Sequence, residues 1–529
     1  MKGKNHILTT AAATGGLAFF FLTVSCATLP GPGPSPPPDI EERLAEADSL
    51  LERGAYVTIR EAARIYAEAY AFLGLRGRTA APFFKSLLLL SLREGEMGMK
   101  GLRNIEAARR VFEANPSLAG YRPYLEMAWL VPKNTRGIIA ELDIVPEFET
   151  DFQEVRKRVL AMEVDLAVRS LVDEFLGYVF TAWKCSQGIF AERRIDPAAY
   201  VKAFPGSMLL LYRNAVCGGE DPEALKEILA RESDFYEAHY HLGQEALRRG
   251  AVLDAESHLL RAFEGIPESP QTRILLAALY FATEEIEKSL EFYDLTLSIE
   301  PGYRDALLGK AVCLSAMERH EEAIAVLEKN LDMGFYLVGE SHYWIAWNLS
   351  ALKETEKAVG HIQESKGRLP TNTEVFGLSG RLNLELGRLD KAAADFLEAL
   401  EYGPGNTDAL FGLANIRARE RAWLESAGWF AKAAAATESG LQAARARLGE
   451  IESAPLVEGR KSRMRAKQQE KIRKLDEARA AAWYGAAAGY ANAGITEDAL
   501  SAAERAAVHP SYKERAEALA AKLRNKKVE

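Results

Sequence analysis

Small residues recur at a fixed interval through the second half of this 529-residue chain, and they limit the folds it can adopt. The interval is 34 residues, with one spacing of 35, over six consecutive units, and a seventh unit follows an insertion. The units begin at Tyr236, Pro270, Arg304, Gly339, Thr373, Thr407 and Ala480. A period of this length indicates stacked supersecondary units rather than one globular core.

Two positions of the unit are small in all seven copies. Position 8 holds Gly243, Ala277, Ala311, Ala346, Gly380, Ala414 and Ala487. Position 20 holds Ala255, Ser289, Ala323, Ala358, Ala392, Ser426 and Ala499. If each unit is a pair of antiparallel helices, A and B, these are the points where the two backbones approach most closely. Glycine at position 15, in Gly250, Gly387 and Gly494, is typical of a helix end between them.

The spacing and the small positions resemble the tetratricopeptide repeat (TPR) family, over residues 236–440 and 480–513. The resemblance implies an all-α fold, an α-solenoid of helix-turn-helix repeats, with six units in 236–440 and a seventh in 480–513. It also implies a concave groove that binds protein or peptide partners. The family's large residue at position 4 is Trp only at Trp483, so the packing there differs between units.

The resemblance also implies which helix A residues line the groove. These are Tyr240, Arg248, Ile274, Phe281, Leu308, Val312, Tyr343, Trp347, Arg381, Phe411, Asn415, Arg419, Tyr484 and Asn492. Aromatic and arginine side chains are enriched at interface hot spots. Packing between units is the alternative role for several of them. Members of the family that hold the C-terminal carboxylate of a ligand do so with a lysine at position 5, and no unit of this chain has lysine there. We therefore expect the ligand to be an apolar helix or an extended segment.

Residues 40–235 predict a more irregular helical region with degenerate units of the same kind. Ala62, Tyr66 and Ala69 match positions 20, 24 and 27, and Ala224 and Ile228 match positions 20 and 24. Residues 131–150 are expected to form a loop, and residues 151–184 a long amphipathic helix whose aromatic side chains pack in a core.

The first 25 residues have the pattern of a signal peptide: Lys2 and Lys4, then an uncharged stretch to Val24. Leu22, Ser25 and Cys26 fit a bacterial lipobox, which implies lipidation of Cys26 and anchoring in a membrane. An uncleaved transmembrane anchor is the alternative. Residues 26–39 are proline-rich and predict an extended tether that reaches about 40 Å. Ala27 after the cysteine favours the outer membrane, facing the periplasm.

The insertion, residues 441–479, concentrates positive charge in an otherwise acidic chain of net charge -9. A solvated helix that projects from the solenoid is the first interpretation, and contact with anionic lipid headgroups or an acidic partner is the second. Residues 514–529 predict a C-terminal solvating helix. The basic residues are Arg460, Lys461, Arg463, Arg465, Lys467, Lys471, Arg473 and Lys474.

Motifs for chemistry are missing from the sequence. It contains no HExxH, P-loop, GxGxxG or GxSxG pattern, its four cysteines have no metal-site spacing, and its eight histidines are scattered. We therefore expect no enzyme, cofactor or metal site, and the acidic charge argues against a nucleic-acid partner. Cys313 is expected to be buried, whereas Cys185 and Cys217 either pair in an oxidising periplasm or stay unpaired.

These features favour a membrane-anchored TPR adaptor that binds protein partners at the bacterial cell envelope. Two alternatives place the function in residues 75–235. A solute- or transporter-associated binding component would need an enclosed cavity there. An enzyme would need a buried cluster of titratable residues in the same region.

Overall fold

The computed structural model describes residues 39–73, 79–97, 99, 102–122, 124–125, 128, 157, 202–216, 221–334 and 337–526. Within these ranges the regular structure is entirely helical, as the sequence predicts. The N-terminal helices are α1 (Ile40–Arg53), α2 (Tyr56–Leu73), α3 (Ala80–Glu96), α4 (Leu102–Ala114), a 3₁₀ turn (Pro116–Tyr121), α5 (Met208–Val216) and α6 (Pro222–Arg231).

Fifteen further helices form the repeat stack and its C-terminal end. They are α7 (Tyr236–Arg248), α8 (Val252–Gly265), α9 (Pro270–Ala282), α10 (Ile286–Ile299), α11 (Arg304–Ala316), α12 (His320–Leu331), α13 (Val338–Ala351), α14 (Thr355–Arg368), α15 (Thr373–Glu385), α16 (Leu389–Tyr402), α17 (Thr407–Arg419), α18 (Trp423–Ser453), α19 (Glu458–Asn492), α20 (Thr496–Ala506) and α21 (Pro510–Lys526). The helices pack in sequence order, so the repeat is an α-solenoid.

Each predicted unit is a pair of helices, and the turn between them has one shared conformation. Position 15 adopts a left-handed backbone in all seven units. Three units place glycine there, and the other four place Glu284, Glu318, Lys353 and Arg421. A side chain in this region costs about 1–2 kcal/mol, so the tight turn is kept even where the residue does not favour it.

The two small columns are buried, as the packing argument predicts. All seven residues at position 8 and all seven at position 20 are buried in the stack. Cys313 is also completely buried, with its Sγ 3.2 Å from the Ser289 hydroxyl. A larger side chain at either column would push helix A away from helix B, because protein interiors leave no spare volume.

A second packing rule links neighbouring units. Where position 24 is aromatic, as in Tyr293, Phe396 and Phe430, position 6 of the next unit is glycine, namely Gly309, Gly412 and Gly485. A Cβ built on any of these glycines would come within 2.9 Å of the aromatic ring. Where position 24 is aliphatic, position 6 of the next unit is large: Leu259 precedes Leu275, Leu327 precedes Trp344, and Ile362 precedes Leu378. Each of these seams is therefore filled either by an aromatic ring packed on glycine or by an aliphatic side chain packed on a second large side chain.

The N-terminal helices extend the stack. Ala62, Tyr66 and Ala69 of α2 are buried, as the match to positions 20, 24 and 27 predicts, and Ile228 of α6 is also buried, whereas Ala224 is half-buried. Helix α3 contributes an apolar face that joins a large core with α1, α2 and α4. The predicted loop 131–150 and helix 151–184, the signal and tether segments before residue 39, and Cys185 and Cys217 lie outside the described residues.

The insertion is continuous with the solenoid. Helix α18 begins as helix B of the sixth unit and runs on to Ser453, and α19 runs from Glu458 through the insertion into helix A of the seventh unit. The two pack against each other, with Leu441, Ala444, Ile451 and Met464 buried. We call residues 441–479 the hairpin. Helix α21 buries Ala516, Ala520 and Leu523 and covers the end of the stack. No helix of the described ranges has the length and hydropathy needed to cross a bilayer.

We expect Gly412→Ala to destabilise the protein by about 1–3 kcal/mol, because the new Cβ would lie 2.1 Å from the ring of Phe396, which Gly380 confines on its other side. The additional change Phe396→Leu should recover part of this loss, since it opens the seam. Gly428→Ala is the matched control: nothing lies within 4 Å of its Cβ, so it should stabilise by up to about 1 kcal/mol. Urea unfolding followed by circular dichroism measures all three, and a Gly412→Ala protein as stable as the wild type would refute the seam rule.

Candidate protein-binding groove

The predicted groove residues divide into two kinds by exposure. The nine apolar and aromatic ones are half-buried, and the five polar ones are exposed. The exposed residues are Arg248, Arg381, Asn415, Arg419 and Asn492. Every one of the fourteen thus keeps part of its side chain at the surface, and every helix A except that of the fifth unit contributes at least one accessible apolar group.

The fourth unit alone contributes two aromatic side chains to this set. Tyr343 and Trp347 both pack against Trp344, with ring centroids 5.5 and 5.8 Å apart. His320 lies 5.8 Å from Trp347 and binds Asn348 through Nδ1 at 2.9 Å. These rings pack against the core between units, and Tyr343 and Trp347 are also predicted groove residues. Truncating Tyr343 or Trp347 therefore costs stability as well as any binding surface.

Other groove residues share this double role. Ile274 and Phe281 border the core around Tyr293, and Phe411 packs on Phe430 with centroids 6.1 Å apart. Tyr484 stacks near Tyr512 of α21 and lies under the guanidinium of Arg515 at 4.8 Å. The polar residues are freer of the core, although Arg381 forms an ion pair with Asp408 at 3.1 Å. They are the better positions for testing binding without unfolding.

The structure corrects the prediction of a solvated, projecting basic helix at one residue, Arg460, which is buried against the repeat stack. Arg460 is 8% exposed and is held by Glu256 of the first unit and Glu285 of the second. Arg463 and Lys467 lie 3.3 Å from Glu285 and Glu284, respectively. The charge is matched by acidic residues far away in the sequence, which the composition of the insertion alone does not reveal.

The remaining basic residues of the hairpin are at its surface. Lys461 donates to the carbonyl of Glu452 at 3.0 Å, and Arg465 lies 3.6 Å from Glu458. Arg473 and Lys474 both pair with Glu470, and Lys471 is exposed. Most of the predicted basic patch is thus neutralised within the protein.

A buried cluster of titratable residues joins α3 and α5 to the first repeat unit. Arg93 is completely buried and forms ion pairs with Glu237 and Glu96, and Arg213 pairs with Glu96 at 2.7 Å. The Tyr212 hydroxyl lies 2.9 Å from Nε2 of His241, and burial lowers the pKa of His241 to about 3. The enzyme alternative requires a cluster of this kind, but here the charges pair with one another, as in a structural network.

Two histidine pairs occupy equivalent positions in different units. Nδ1 of His239 lies 2.8 Å from Nδ1 of His258, and Nδ1 of His342 lies 3.0 Å from Nδ1 of His361. In each pair one residue is at position 4 and the other at position 23 of the same unit. Burial, followed by repulsion from the partner ring, lowers the pKa of His239 to about 4 and also lowers that of His342. The spacing predicts that the histidine at position 4 is a packing residue. It does not predict that its partner is a second histidine, at position 23 on helix B.

Among the described residues, no group of three or more His, Cys, Asp or Glu side chains is arranged to hold a metal ion. The histidine pairs therefore serve as hydrogen-bonded contacts between helices A and B. Only one ring of each pair carries the bridging proton, since two neutral imidazoles need one donor and one acceptor.

Comparisons with known proteins return helical repeat proteins. No family model matches the chain. Anaphase-promoting complex subunit 3 of Schizosaccharomyces pombe is 27% identical over 148 residues, which are 25% of this chain and 22% of the yeast protein. Among solved structures, YrrB, "a TPR protein with an unusual peptide-binding site", is 25% identical over 34% of this chain and 91% of its own, with a TM-score of 0.29. PilF of Pseudomonas aeruginosa is 18% identical over 38% of this chain and 91% of its own, with a TM-score of 0.35.

The histidine pairs predict a loss of stability in mild acid. Their folded-state pKa values lie below the usual 6.5, so the unfolded chain takes up protons first. The free energy of unfolding that depends on these residues is therefore complete above about pH 6.5 and falls as the pH approaches about 4. Urea titrations at pH 7 and pH 4.5 measure how much the free energy of unfolding falls between the two pH values. This fall should be smaller for the double variant His239→Gln, His342→Gln than for the wild type.

His509, which lies outside both pairs, supplies the control for this measurement. The single variant His509→Gln should keep the wild-type difference between the two pH values. If the fall in the free energy of unfolding between pH 7 and pH 4.5 is the same in the double variant as in the wild type, the histidine pairs do not cause the loss of stability in acid.

Proposed function

We propose that this protein is an adaptor of the bacterial cell envelope, anchored by lipid at Cys26, that binds a segment of a partner protein in the groove formed by its helices A. The observation that carries the proposal is the set of half-buried apolar side chains on six of the seven helices A, with exposed arginine or asparagine beside them in the first, sixth and seventh units. Such a surface suits an amphipathic helix or an extended segment, which would bury apolar side chains on the floor and receive hydrogen bonds from the polar residues.

The energetics of such binding depend on a few central residues. Trp347 and Tyr343 supply apolar area at the middle of the stack, and aromatic residues of this kind contribute most where water is excluded. Arg419 and Asn415, one helical turn apart on α17, would add charged and amide donors. The absence of lysine at position 5 supports an apolar ligand rather than a clamped terminal carboxylate.

The proposed location is supported by the N-terminal sequence. The uncharged stretch that ends in Leu22 to Cys26 fits a lipoprotein signal, and the proline-rich residues 26–39 would hold the folded part away from the bilayer. Ala27 supports the outer membrane, with the repeats facing the periplasm. The anchor would keep the groove within reach of other envelope proteins and raise its effective concentration toward them.

The groove makes a prediction for photo-crosslinking in living cells. A photoreactive residue at Asn415 or Trp347 should capture one discrete partner, and the added change Arg419→Ala should reduce the yield at least several-fold, because it removes an exposed charged donor beside these apolar side chains. Leu397, half exposed on helix B of the fifth unit, is the control position. Stronger capture from position 397 than from 415 and 347 would move the binding surface to the opposite face and refute the groove.

The anchor makes a separate prediction. Cys26→Ser should abolish metabolic labelling with a fatty-acid analogue and release the protein from the membrane fraction, because the thiol is the proposed site of attachment. Cys313→Ser should leave labelling unchanged, since that thiol is buried between helices. Persistent labelling of the Cys26→Ser protein would rule out the lipid anchor.

A further inference from the structure

The tip of the hairpin binds the opposite end of the repeat stack. Arg460 donates from Nη1 and Nη2 to the two carboxylate oxygens of Glu256, at 2.6 and 2.8 Å, and from Nε to Oε1 of Glu285 at 2.5 Å. These partners are 204 and 175 residues away in the sequence. Paired, forked contacts of a guanidinium are the strongest and most directional that arginine forms.

The acceptors are themselves held in place. Glu256 also receives a hydrogen bond from the Tyr280 hydroxyl at 3.1 Å, and Glu285 receives bonds from Thr283 at 3.3 Å and Lys288 at 2.6 Å. The side chain of Arg460 is 9% exposed and that of Glu285 is 8% exposed. Hydrogen bonds from Arg460 and Tyr280 lower the pKa of Glu256, so both carboxylates are charged at neutral pH. This is a built contact that buries charge, unlike the surface pairs elsewhere on the hairpin.

The contact joins the two ends of the repeat stack. Units one to six run in one direction, and the hairpin returns from units six and seven to units one and two. The helical run from Arg460 to Tyr484 is about 36 Å long at 1.5 Å per residue. Because α19 is one uninterrupted helix, a single element carries both the residue bound at the first two units and the predicted groove residues Tyr484 and Asn492.

The bound tip lies at the turn between helices A and B of the second unit, where Glu284 and Glu285 stand. The Arg460 guanidinium is also 5.9 Å from the ring of Tyr280 on helix A of that unit. Helix α19 therefore contacts the second unit near its beginning and carries the predicted groove residue Tyr484 near its end.

We propose that the hairpin is a latch: with Arg460 bound to Glu256 and Glu285 it holds the two ends of the stack together and fixes the curvature of the groove, and its release lets the groove adjust to the partner. This inference rests on the adaptor function proposed above. A partner that binds the open form more tightly shifts the equilibrium toward release, by as much as its two affinities differ. Release exposes both carboxylates and the guanidinium to water at once, so the three hydrogen bonds of Arg460 break together.

The first arm of the test measures the latch without any partner. Spin labels are placed on cysteines introduced at Ser462 and Glu287, both exposed, in the full chain with its four native cysteines, Cys26 included, replaced, so that no lipid is attached. Double electron–electron resonance should give one short, narrow distance distribution for the wild type. Arg460→Ala should lengthen and broaden it, whereas Arg473→Ala, which removes an exposed arginine of the same helix, should not change it.

A second variant protects the result against misfolding. If circular dichroism shows that Arg460→Ala loses helix, the double variant Glu256→Gln, Glu285→Gln removes the same contact from the other side. Distances that stay short and narrow in the folded variants would overturn the latch.

The second arm asks whether the latch controls the groove. Photo-crosslinking from Asn415 should give at least a several-fold higher yield in the Arg460→Ala background than in the Arg473→Ala background. A longer distance with an unchanged yield would overturn control of the groove. A failure of crosslinking in every background would count against the adaptor function, while the distance measurement would still decide whether the latch exists.

Discussion

The close approach of helices A and B at positions 8 and 20 is the constraint on which the rest of the structure depends. Fourteen small residues at these positions are buried, and their size sets how near the paired backbones lie. This spacing determines where the larger residues at positions 6 and 24 meet between units, and so the angle at which each unit stacks on the next. The groove follows from that stacking, because residues on the exposed side of helix A align only if every unit repeats the same geometry.

The sequence predicts the parts of the structure that are local and repeated. The unit starts, the small columns and the helical class follow from periodicity, and burial of Cys313 follows from its place in the pattern. The left-handed turn at position 15 is visible in the sequence only where glycine occupies it, because the other four units adopt it with side chains present. The pairing of an aromatic residue at position 24 with a glycine at position 6 of the next unit can also be found in the sequence. It becomes visible only when these two positions are compared across adjacent units.

Long-range ion pairs are the part that periodicity does not predict. The composition of residues 441–479 indicates a solvated basic helix, yet Arg460 is buried against acidic residues of the first two units. Arg93 and Glu237, 144 residues apart, join the N-terminal helices to the first unit in the same manner. Nothing in a run of lysines and arginines distinguishes the one that will be buried. Its partner is set by how far the solenoid turns between the first unit and the last, and this depends on the sum of all the seams.

The first unit is thus held from two directions, through Glu237 by the N-terminal helices and through Glu256 by the hairpin. Burying a charge is favourable only while its partner and hydrogen bonds are complete, and a buried pair that loses one member leaves a charge that cannot be solvated in place. A rotation of the first two units relative to the seventh would strain all three Arg460 hydrogen bonds, two of them to the first unit and one to the second. A contact of this kind resists gradual opening and favours two states, one bound and one fully released. Because α19 links the two ends of the stack, binding or release of Arg460 would change the geometry of the proposed groove along its length.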